Sequence, residues 1–100
     1  MKKYIPCEKH WISMYEQYDF YKFHKKFPIQ KIRLKPLRNK IDTNNILYML
    51  MNFSREAWMP ITLDVDYFLT DGQHRLELAR QFGMEFIDVV ILDDKKLKTE

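Results

Sequence analysis

This chain has few of the features that mark secreted, disulfide-linked or membrane-spanning proteins. Its 100 residues contain one cysteine, Cys7, so no disulfide can form within the chain. The start Met1-Lys2-Lys3 is not followed by the apolar segment of a signal peptide, and no apolar run reaches the length of a membrane span. The sequence therefore predicts a cytoplasmic protein that does not contact a membrane and whose thiol stays reduced.

Glycine is scarce as well, with two residues, whereas hydrophobic residues make up 46% of the chain and aromatic residues 15%. Disordered segments have the opposite balance, because they lack the apolar surface that folding must bury. A chain of this length supports one domain around one modest core. We therefore expect a folded domain.

Charge is distributed unevenly along the chain. Residues 1–40 carry 11 Lys and Arg against 3 Asp and Glu, a net charge of +8, whereas residues 41–100 carry 6 against 11, a net charge of −5. A basic segment of this kind favours a nucleic acid or an acidic protein as partner, because it neutralises phosphates or carboxylates. The alternative is that the two halves attract each other within the fold.

Residues 1–28 are interpreted as a basic, aromatic leader. Ser13 and Glu16 have the spacing of a capping box, and Pro28 would block continuation of a helix, so the pattern predicts a helix over residues 14–26. The run from Tyr18 to Phe23 is also β-prone, which is the competing interpretation.

The rest of the chain alternates between strand and helix patterns. Residues 44–53 predict a helix capped by Asp42 or Thr43, and this helix is apolar nearly all round. Either both of its faces are buried, which we favour, or one face is a dimer or partner surface. The remaining predictions are strands at 30–34, 60–63, 67–70 and 86–92, a hairpin turn at 64–66, a helix at 76–82 ended by Gly83, and a solvated tail at 93–100.

The run Asp71-Gly72-Gln73-His74-Arg75 lies between a predicted strand and a predicted helix, and it is therefore a strand-to-helix turn. A glycine lets the backbone approach a ligand closely, and the first N–H groups of a helix point outward beside the donors of His74 and Arg75. The pattern predicts a phosphate site at residues 72–75, with Asp71 as the helix N-cap. Without a ligand, Asp71 is the carboxylate that would balance His74 and Arg75.

Residues 30–92 resemble the ParB/sulfiredoxin superfamily, most closely from Pro60 to Leu92. Shared features are an apolar strand, the Asp-Gly-x-His-Arg turn, a helix rich in Leu and Ala, a glycine and a closing strand. The spelling Asp-Gly-Gln-His-Arg also resembles a subgroup to which regulators of DNA phosphorothioation belong. The resemblance implies an α+β fold over residues 29–92, with helices packed on a small mixed sheet, preceded by the helical leader.

The same resemblance implies that the turn binds a nucleotide, with ATP and CTP as the candidates, and Mg²⁺ is a further candidate ligand if the turn serves an enzyme. Members of the superfamily differ in what the bound nucleotide is used for: a CTP-driven DNA clamp, ATP-dependent sulfinic-acid reduction, serine phosphorylation or nuclease-like activity. Gln73 stands where sulfiredoxins carry their catalytic cysteine, which argues against that chemistry, and Cys7 in the leader is no substitute. The short chain argues against a sliding clamp. Arg38 follows the first predicted strand, where relatives place a loop over the nucleotide; it either contacts the ligand or belongs to a solvated turn.

Evidence for catalysis is weaker. His74 and Asp71 are the candidate catalytic residues, and the acidic residues near the expected site could hold Mg²⁺ or act as a base: Asp64, Asp66, Asp71 and Asp88. None of them has a recognisable metal-binding spacing, and His10 and His24 lie too far from other ligand types to indicate zinc. The sequence leaves open whether the protein is an enzyme.

The sequence supports three functional hypotheses. The first is a small nucleotide- or phosphate-binding module that acts as a regulator or DNA-associated accessory protein, with residues 1–40 contacting nucleic acid or an acidic partner. The second is a Mg²⁺-dependent phosphotransfer or nuclease-like enzyme that uses the same turn. The third is an interaction scaffold of phage or mobile-element type that binds no nucleotide and uses its aromatic residues to bind a partner. A homodimer is compatible with each of them.

Overall fold

The computed structural model describes residues 4–36 and 43–98. Its elements are α1 (Lys9–Glu16), β1 (Tyr21–Pro28), a 3₁₀ turn (Ile29–Lys31), α2 (Thr43–Met51), a second 3₁₀ turn (Arg55–Ala57), β2 (Ile61–Asp64), β3 (Leu69–Asp71), α3 (Gln73–Gln81), β4 (Phe86–Leu92) and α4 (Asp94–Lys98). The strands form one sheet in the order β1-β4-β2-β3. β4 runs parallel to β2 and antiparallel to β1, and β2 runs antiparallel to β3. The predicted α+β fold with a small mixed sheet is confirmed.

The core lies around the two inner strands. Ile61 and Leu63 of β2 and Val89 of β4 are fully buried, and they pack with Leu76 and Leu78 of α3. Side chains of a strand alternate between its two faces, yet four consecutive residues of β4 are buried. Both faces of β4 are therefore covered, as its continuous apolar run predicted.

The leader differs from the prediction. Its helix, α1, spans Lys9–Glu16 instead of residues 14–26, and the segment Tyr21–Pro28 is the edge strand β1. Phe23 pairs with Val90 and Phe27 with Ile87, so strand pairing buries aromatic rings that a helix would have spread around its surface. The capping-box interpretation of Ser13 was wrong, and the β-prone interpretation of this region was right.

The strand predicted at residues 30–34 was also wrong. Residues Ile29–Lys31 form a 3₁₀ turn, and strand-like pairing here is limited to one isolated bridge between Arg33 and Phe68 within the described residues. Ile29 and Ile32 are both buried. Because residues three apart eclipse each other in a 3₁₀ turn, this arrangement buries both side chains without a strand.

Helix α2 forms where it was predicted, but the favoured burial of both its faces was wrong. Ile46 is buried, whereas Leu47 is 53% exposed, Tyr48 66% and Met51 83%. Asp42, the alternative cap, lies outside the described residues. The second interpretation, a dimer or partner surface on α2, stays a prediction.

The hairpin between β2 and β3 forms as predicted. The Asp64 carboxylate accepts hydrogen bonds from the backbone N–H groups of Asp66 and Phe68, each at 2.9 Å, and the N–H of Tyr67 donates to the Asp64 carbonyl. Gly83 follows the last turn of α3 with a φ of +76°, which is the left-handed stop expected of it. The tail is not entirely irregular, because α4 forms within it.

Asp88 joins the N-terminal segment to the sheet. Its side chain is 2% exposed, and its carboxylate accepts hydrogen bonds from the Tyr4 hydroxyl, from the N–H of Cys7 at 2.9 Å and from the N–H of Lys26 at 3.1 Å. The Lys26 N–H reaches it because β1 carries an irregularity between His24 and Phe27, where Lys26 adopts a φ of +55°. Asp88 was a candidate Mg²⁺ ligand or base, but its hydrogen bonds give it a structural role.

We expect the Cys7 thiol to be unreactive in the folded protein. It is 5% exposed, and burial, together with the nearby Asp88 carboxylate, raises the pKa of Cys7 from 9.0 to about 12. Because the folded pKa lies above the unfolded value, this contribution to stability is complete below pH 9 and is lost as the pH rises toward 12.

Two measurements check this expectation. At pH 8, iodoacetamide should modify native Cys7 at least about tenfold more slowly than the unfolded chain, because the thiolate is the reactive form. The melting temperature should fall progressively above pH 9 as Cys7 begins to titrate in the unfolded chain. Equal alkylation rates for native and denatured protein would contradict the burial of this thiol.

Candidate functional site

The turn at residues 71–75 connects the edge strand β3 to α3. Asp71 is the last residue of β3 and pairs with Thr62, so its backbone belongs to the sheet. The N-cap of α3 is Gly72, with φ +103° and ψ +28°, and its carbonyl accepts a hydrogen bond from Leu76 at 2.9 Å. The prediction that Asp71 is the N-cap was therefore wrong, because strand pairing extends one residue further than the local pattern indicated.

Gly72 is required by packing as well as by its backbone conformation. A Cβ atom at this position would lie 2.7 Å from Cγ2 of Ile61 and 3.1 Å from Nη2 of Arg75. Ile61 is fully buried and cannot move away easily. The glycine thus brings the backbone of the turn against both β2 and the guanidinium group.

Arg75 is the charged residue most removed from solvent in this turn. Its side chain is 19% exposed, and its Nε atom is buried with no hydrogen-bond partner among residues 4–36 and 43–98. Burial lowers the pKa of Arg75, and the nearby Asp71 and Tyr15 oppose that shift. An arginine remains charged despite such a shift, so the turn contains a partly desolvated cation.

The carboxylate near Arg75 balances it only weakly. Asp71 Oδ2 lies 3.9 Å from Arg75 Nη2, and the Asp71 side chain is 79% exposed. Because one partner is exposed to water and the two atoms lie far apart, this pair contributes about 1 kcal/mol at most, whereas desolvation of an ion costs several kcal/mol. The predicted pairing of Asp71 with Arg75 is present, but burial still lowers the pKa of Arg75, so Asp71 and Tyr15 offset only part of the cost of burying this charge.

Tyr15 is a residue of this site that sequence reasoning missed. It lies in α1 and is half-buried, and Thr62, Arg75 and Asp71 all influence its ionisation. Burial raises the pKa of Tyr15, with a smaller contribution from Tyr21. The leader therefore reaches the turn, and the error in placing its helix hid this contact.

The other residues that were predicted for the site differ in where the structure places them. Gln73 and His74 occupy the first turn of α3 and are half-buried. Arg38 lies outside the described residues, so its expected ligand contact stays a prediction. Asp64 is engaged in the hairpin, and within the described part of the chain no group of three or more His, Cys, Asp or Glu could hold a metal ion.

Two features of the turn are of the kind that favours an anion. The positive end of the α3 dipole and the Arg75 guanidinium both favour negative charge in front of the helix. Arg75 can offer two parallel donors to a phosphate, which a lysine cannot do.

Comparison with solved structures identifies the fold. The chain is similar to the N-domain of a pNOB8-like ParB, with 18% identity, a TM-score of 0.54 and coverage of 73% of this chain and 28% of that one. The C222₁ form of a pNOB8-like ParB N-domain gives 17% identity, a TM-score of 0.52 and coverage of 73% and 31%. Sulfiredoxin from Arabidopsis thaliana gives 24% identity, a TM-score of 0.59 and coverage of 77% and 93%.

These similarities confirm that the chain has the ParB/sulfiredoxin fold, while the narrower Asp-Gly-Gln-His-Arg subgroup stays a prediction. The chain matches less than a third of the length of the two ParB structures. A scan against protein-family models gives no match, and a search of curated proteins gives none either. None of the described helices has the length and apolar character needed to cross a bilayer.

Proposed function

We propose that this protein is a small phosphate- or nucleotide-binding module whose ligand is held at the turn formed by residues 71–75. The observation that carries the proposal is the buried Arg75 Nε atom, which has no hydrogen-bond partner among the described residues. Buried polar groups are nearly always satisfied, so an orphaned donor beside a helix N-terminus favours an anionic ligand.

The geometry supports a phosphate as that anion. A phosphate oxygen in front of α3 would accept from Arg75 and interact with the helix dipole. Such a ligand would supply the charge compensation that the exposed Asp71 carboxylate does not. ATP or CTP is the proposed form of the ligand, and Mg²⁺ would be held mainly by its phosphate oxygens.

The proposed role is that of a regulator or DNA-associated accessory protein in the cytoplasm. A binding module acts when its ligand changes the populations of the protein's conformations or the partners that it binds. Tyr15 gives a physical route for this, since it connects the turn to the leader.

Nucleotide binding should appear as a thermal shift. A ligand that binds only the folded state at ten times its Kd stabilises it by about 1.4 kcal/mol, which corresponds to about 5–10 °C in a domain of this size. We expect at least one of ATP, CTP, GTP and UTP, with or without Mg²⁺, to produce such a shift in the wild type and none in Arg75→Ala.

Arg80→Ala is the matched control, because Arg80 lies on the same helix, carries the same charge and is exposed. Each variant's own unliganded melting temperature is the reference, since Arg75→Ala also removes buried side-chain surface. A panel without any shift in the folded wild type would refute the proposal, and so would a shift that Arg75→Ala retains in full.

A further inference from the structure

A groove of about 460 Å³ lies beyond the other end of β2 from the 71–75 turn. Gly72 contacts Ile61, the first residue of β2, whereas the groove is lined by Val65, which follows the last residue of that strand. The two places therefore lie at opposite ends of β2, with Tyr21 of the groove packed against Tyr15 at a ring-centroid distance of 4.8 Å, and a ligand in the groove does not require nucleotide binding at the turn.

The lining of this groove combines aromatic rings with cations. Phe20, Tyr21 and Tyr67 supply the rings, and Lys22 and Lys96, both exposed, supply the positive charge. Aromatic faces beside ammonium groups are the combination that binds unpaired bases and the phosphates between them.

Tyr67 is the most unusual residue of the groove. It is 39% exposed and has a φ of +70°, a conformation that bulky L residues rarely adopt. Its ring packs edge-on against Phe27 with the ring centroids 5.1 Å apart. A glycine or asparagine would suit this turn position better, so the presence of an aromatic ring in a strained, exposed position indicates a binding role.

The same surface continues past Tyr67 along residues 33–35. The N–H of Arg33 donates to the Tyr67 carbonyl at 2.8 Å, and the Arg33 guanidinium lies 4.5 Å from the centre of the Phe68 ring. Lys35 Nζ lies 5.8 Å from the same ring. Tyr67 thus lies between two sets of exposed cations and rings, which together we call the basic-aromatic track: Phe20, Lys22, Lys96, Tyr67, Arg33, Phe68 and Lys35.

Two carboxylates near the track accept hydrogen bonds from neighbouring backbone N–H groups. Asp64 accepts from backbone N–H groups of its hairpin, and Asp93 accepts from the N–H of Lys95 at the start of α4. Asp19 and Asp93 both line the groove and match the charge of Lys22 and Lys96, so the net positive charge of the track comes from Arg33 and Lys35. The track is thus positive but not uniformly so, which suits a flexible strand better than the regular double phosphate backbone of a duplex.

We propose that the basic-aromatic track binds single-stranded nucleic acid. Bases stack on Tyr67 and Phe20, and the phosphates between them contact Lys22, Lys96, Arg33 and Lys35. A single strand is the favoured partner because the bases of a duplex are already stacked on one another and cannot reach rings inside a groove.

The test is fluorescence anisotropy at low salt with a labelled oligothymidylate of about 12 nucleotides, beside a duplex of the same length. We expect the single strand to bind more tightly than the duplex. Tyr67→Gly should weaken binding about tenfold through loss of one stacked base, while the glycine relieves the backbone strain. The double variant Lys22→Glu with Lys35→Glu should weaken it at least as much and reduce the salt dependence of the affinity.

Lys9→Glu is the control for charge alone, because Lys9 is an exposed lysine of α1 that lines a different cavity. Lys9→Glu should change the affinity less than about twofold, because its charge lies away from the groove. Asp19→Lys should increase the affinity, because it replaces a negative charge in the groove by a positive one. The proposal would be overturned if the duplex bound more tightly than the single strand, or if a polyglutamate peptide of equal charge displaced the strand. Equal losses of affinity in Lys9→Glu and in the double variant would overturn it as well. Retention of binding in Arg75→Ala would separate this site from the turn.

Discussion

Replacement of Asp88 by alanine should destabilise the protein more than any other single substitution of an acidic residue. Three donors, the Tyr4 hydroxyl and the N–H groups of Cys7 and Lys26, would lose their acceptor inside the fold. Hydrogen bonds to a charged group contribute about 1.5–3 kcal/mol each, and some of this is recovered when water enters. We expect a loss of about 3–5 kcal/mol, a large fraction of the stability of a small domain.

Chemical denaturation measures the free energy of unfolding of this variant, and alkylation of Cys7 locates the damage. Because Cys7 is held over the sheet by its bond to Asp88, its modification by iodoacetamide should accelerate toward the rate of the unfolded chain. Asp66→Ala is the control, since the Asp66 side chain is exposed, and it should stay within about 0.5 kcal/mol of the wild type. Equal losses in the two variants would show that Asp88 does not anchor the N-terminal segment.

Replacement of Gly72 by alanine should be nearly as damaging, for two additive reasons. The left-handed backbone at φ +103° costs about 1–2 kcal/mol for a residue with a Cβ atom. The Cβ atom would also lie 2.7 Å from Cγ2 of the buried Ile61, and overpacking of this kind costs about 1–3 kcal/mol. We expect a total loss of about 2–5 kcal/mol in thermal or chemical denaturation.

Gly83→Ala separates the two reasons. Gly83 also has a positive φ, +76°, but nothing lies within 4 Å of the position that its Cβ atom would take among the described residues. This variant should therefore lose only the conformational part, about 1–2 kcal/mol. If Gly83→Ala were as destabilising as Gly72→Ala, the contact with Ile61 would contribute nothing.

Gly72→Ala also tests the candidate site. The added methyl group would lie 3.1 Å from Nη2 of Arg75, so it would displace the guanidinium as well as the backbone in front of α3. Conformational freedom alone does not explain this glycine, because the structure needs it for packing even when no ligand is bound. Support for an anion site therefore comes mainly from Arg75, whose Nε atom has no partner within residues 4–36 and 43–98.

The second half of the chain was predictable because its signals are local. The continuous apolar run of β4, the helical spacing before Gly83 and the acidic hairpin at residues 64–66 each determine their own conformation through nearest neighbours. The turn at residues 71–75 was recognised for the same reason, since a glycine between a strand and a helix is a short-range pattern.

The first half was misjudged because its conformation depends on distant residues. The segment Tyr21–Pro28 has both helical and strand character, and only pairing with β4 decides in favour of the strand. Asp88 looked like a possible functional carboxylate because the sequence does not show that Tyr4, Cys7 and Lys26 surround it. The same limitation hid Tyr15, which belongs to the site although it lies far from the turn in the sequence.

By itself, the sequence determined the α+β character of the chain, the strand-to-helix turn and the identity of the cation in that turn, Arg75. These depend on periodicity, glycine placement and residue chemistry, which act over a few residues. The tertiary structure decided that Arg75 is buried beside a weak, exposed partner, that Asp88 anchors the N-terminal segment, and that basic and aromatic residues of distant segments form one track. Burial and pairing between distant segments depend on how the whole chain packs, and for that reason only the folded molecule displays them.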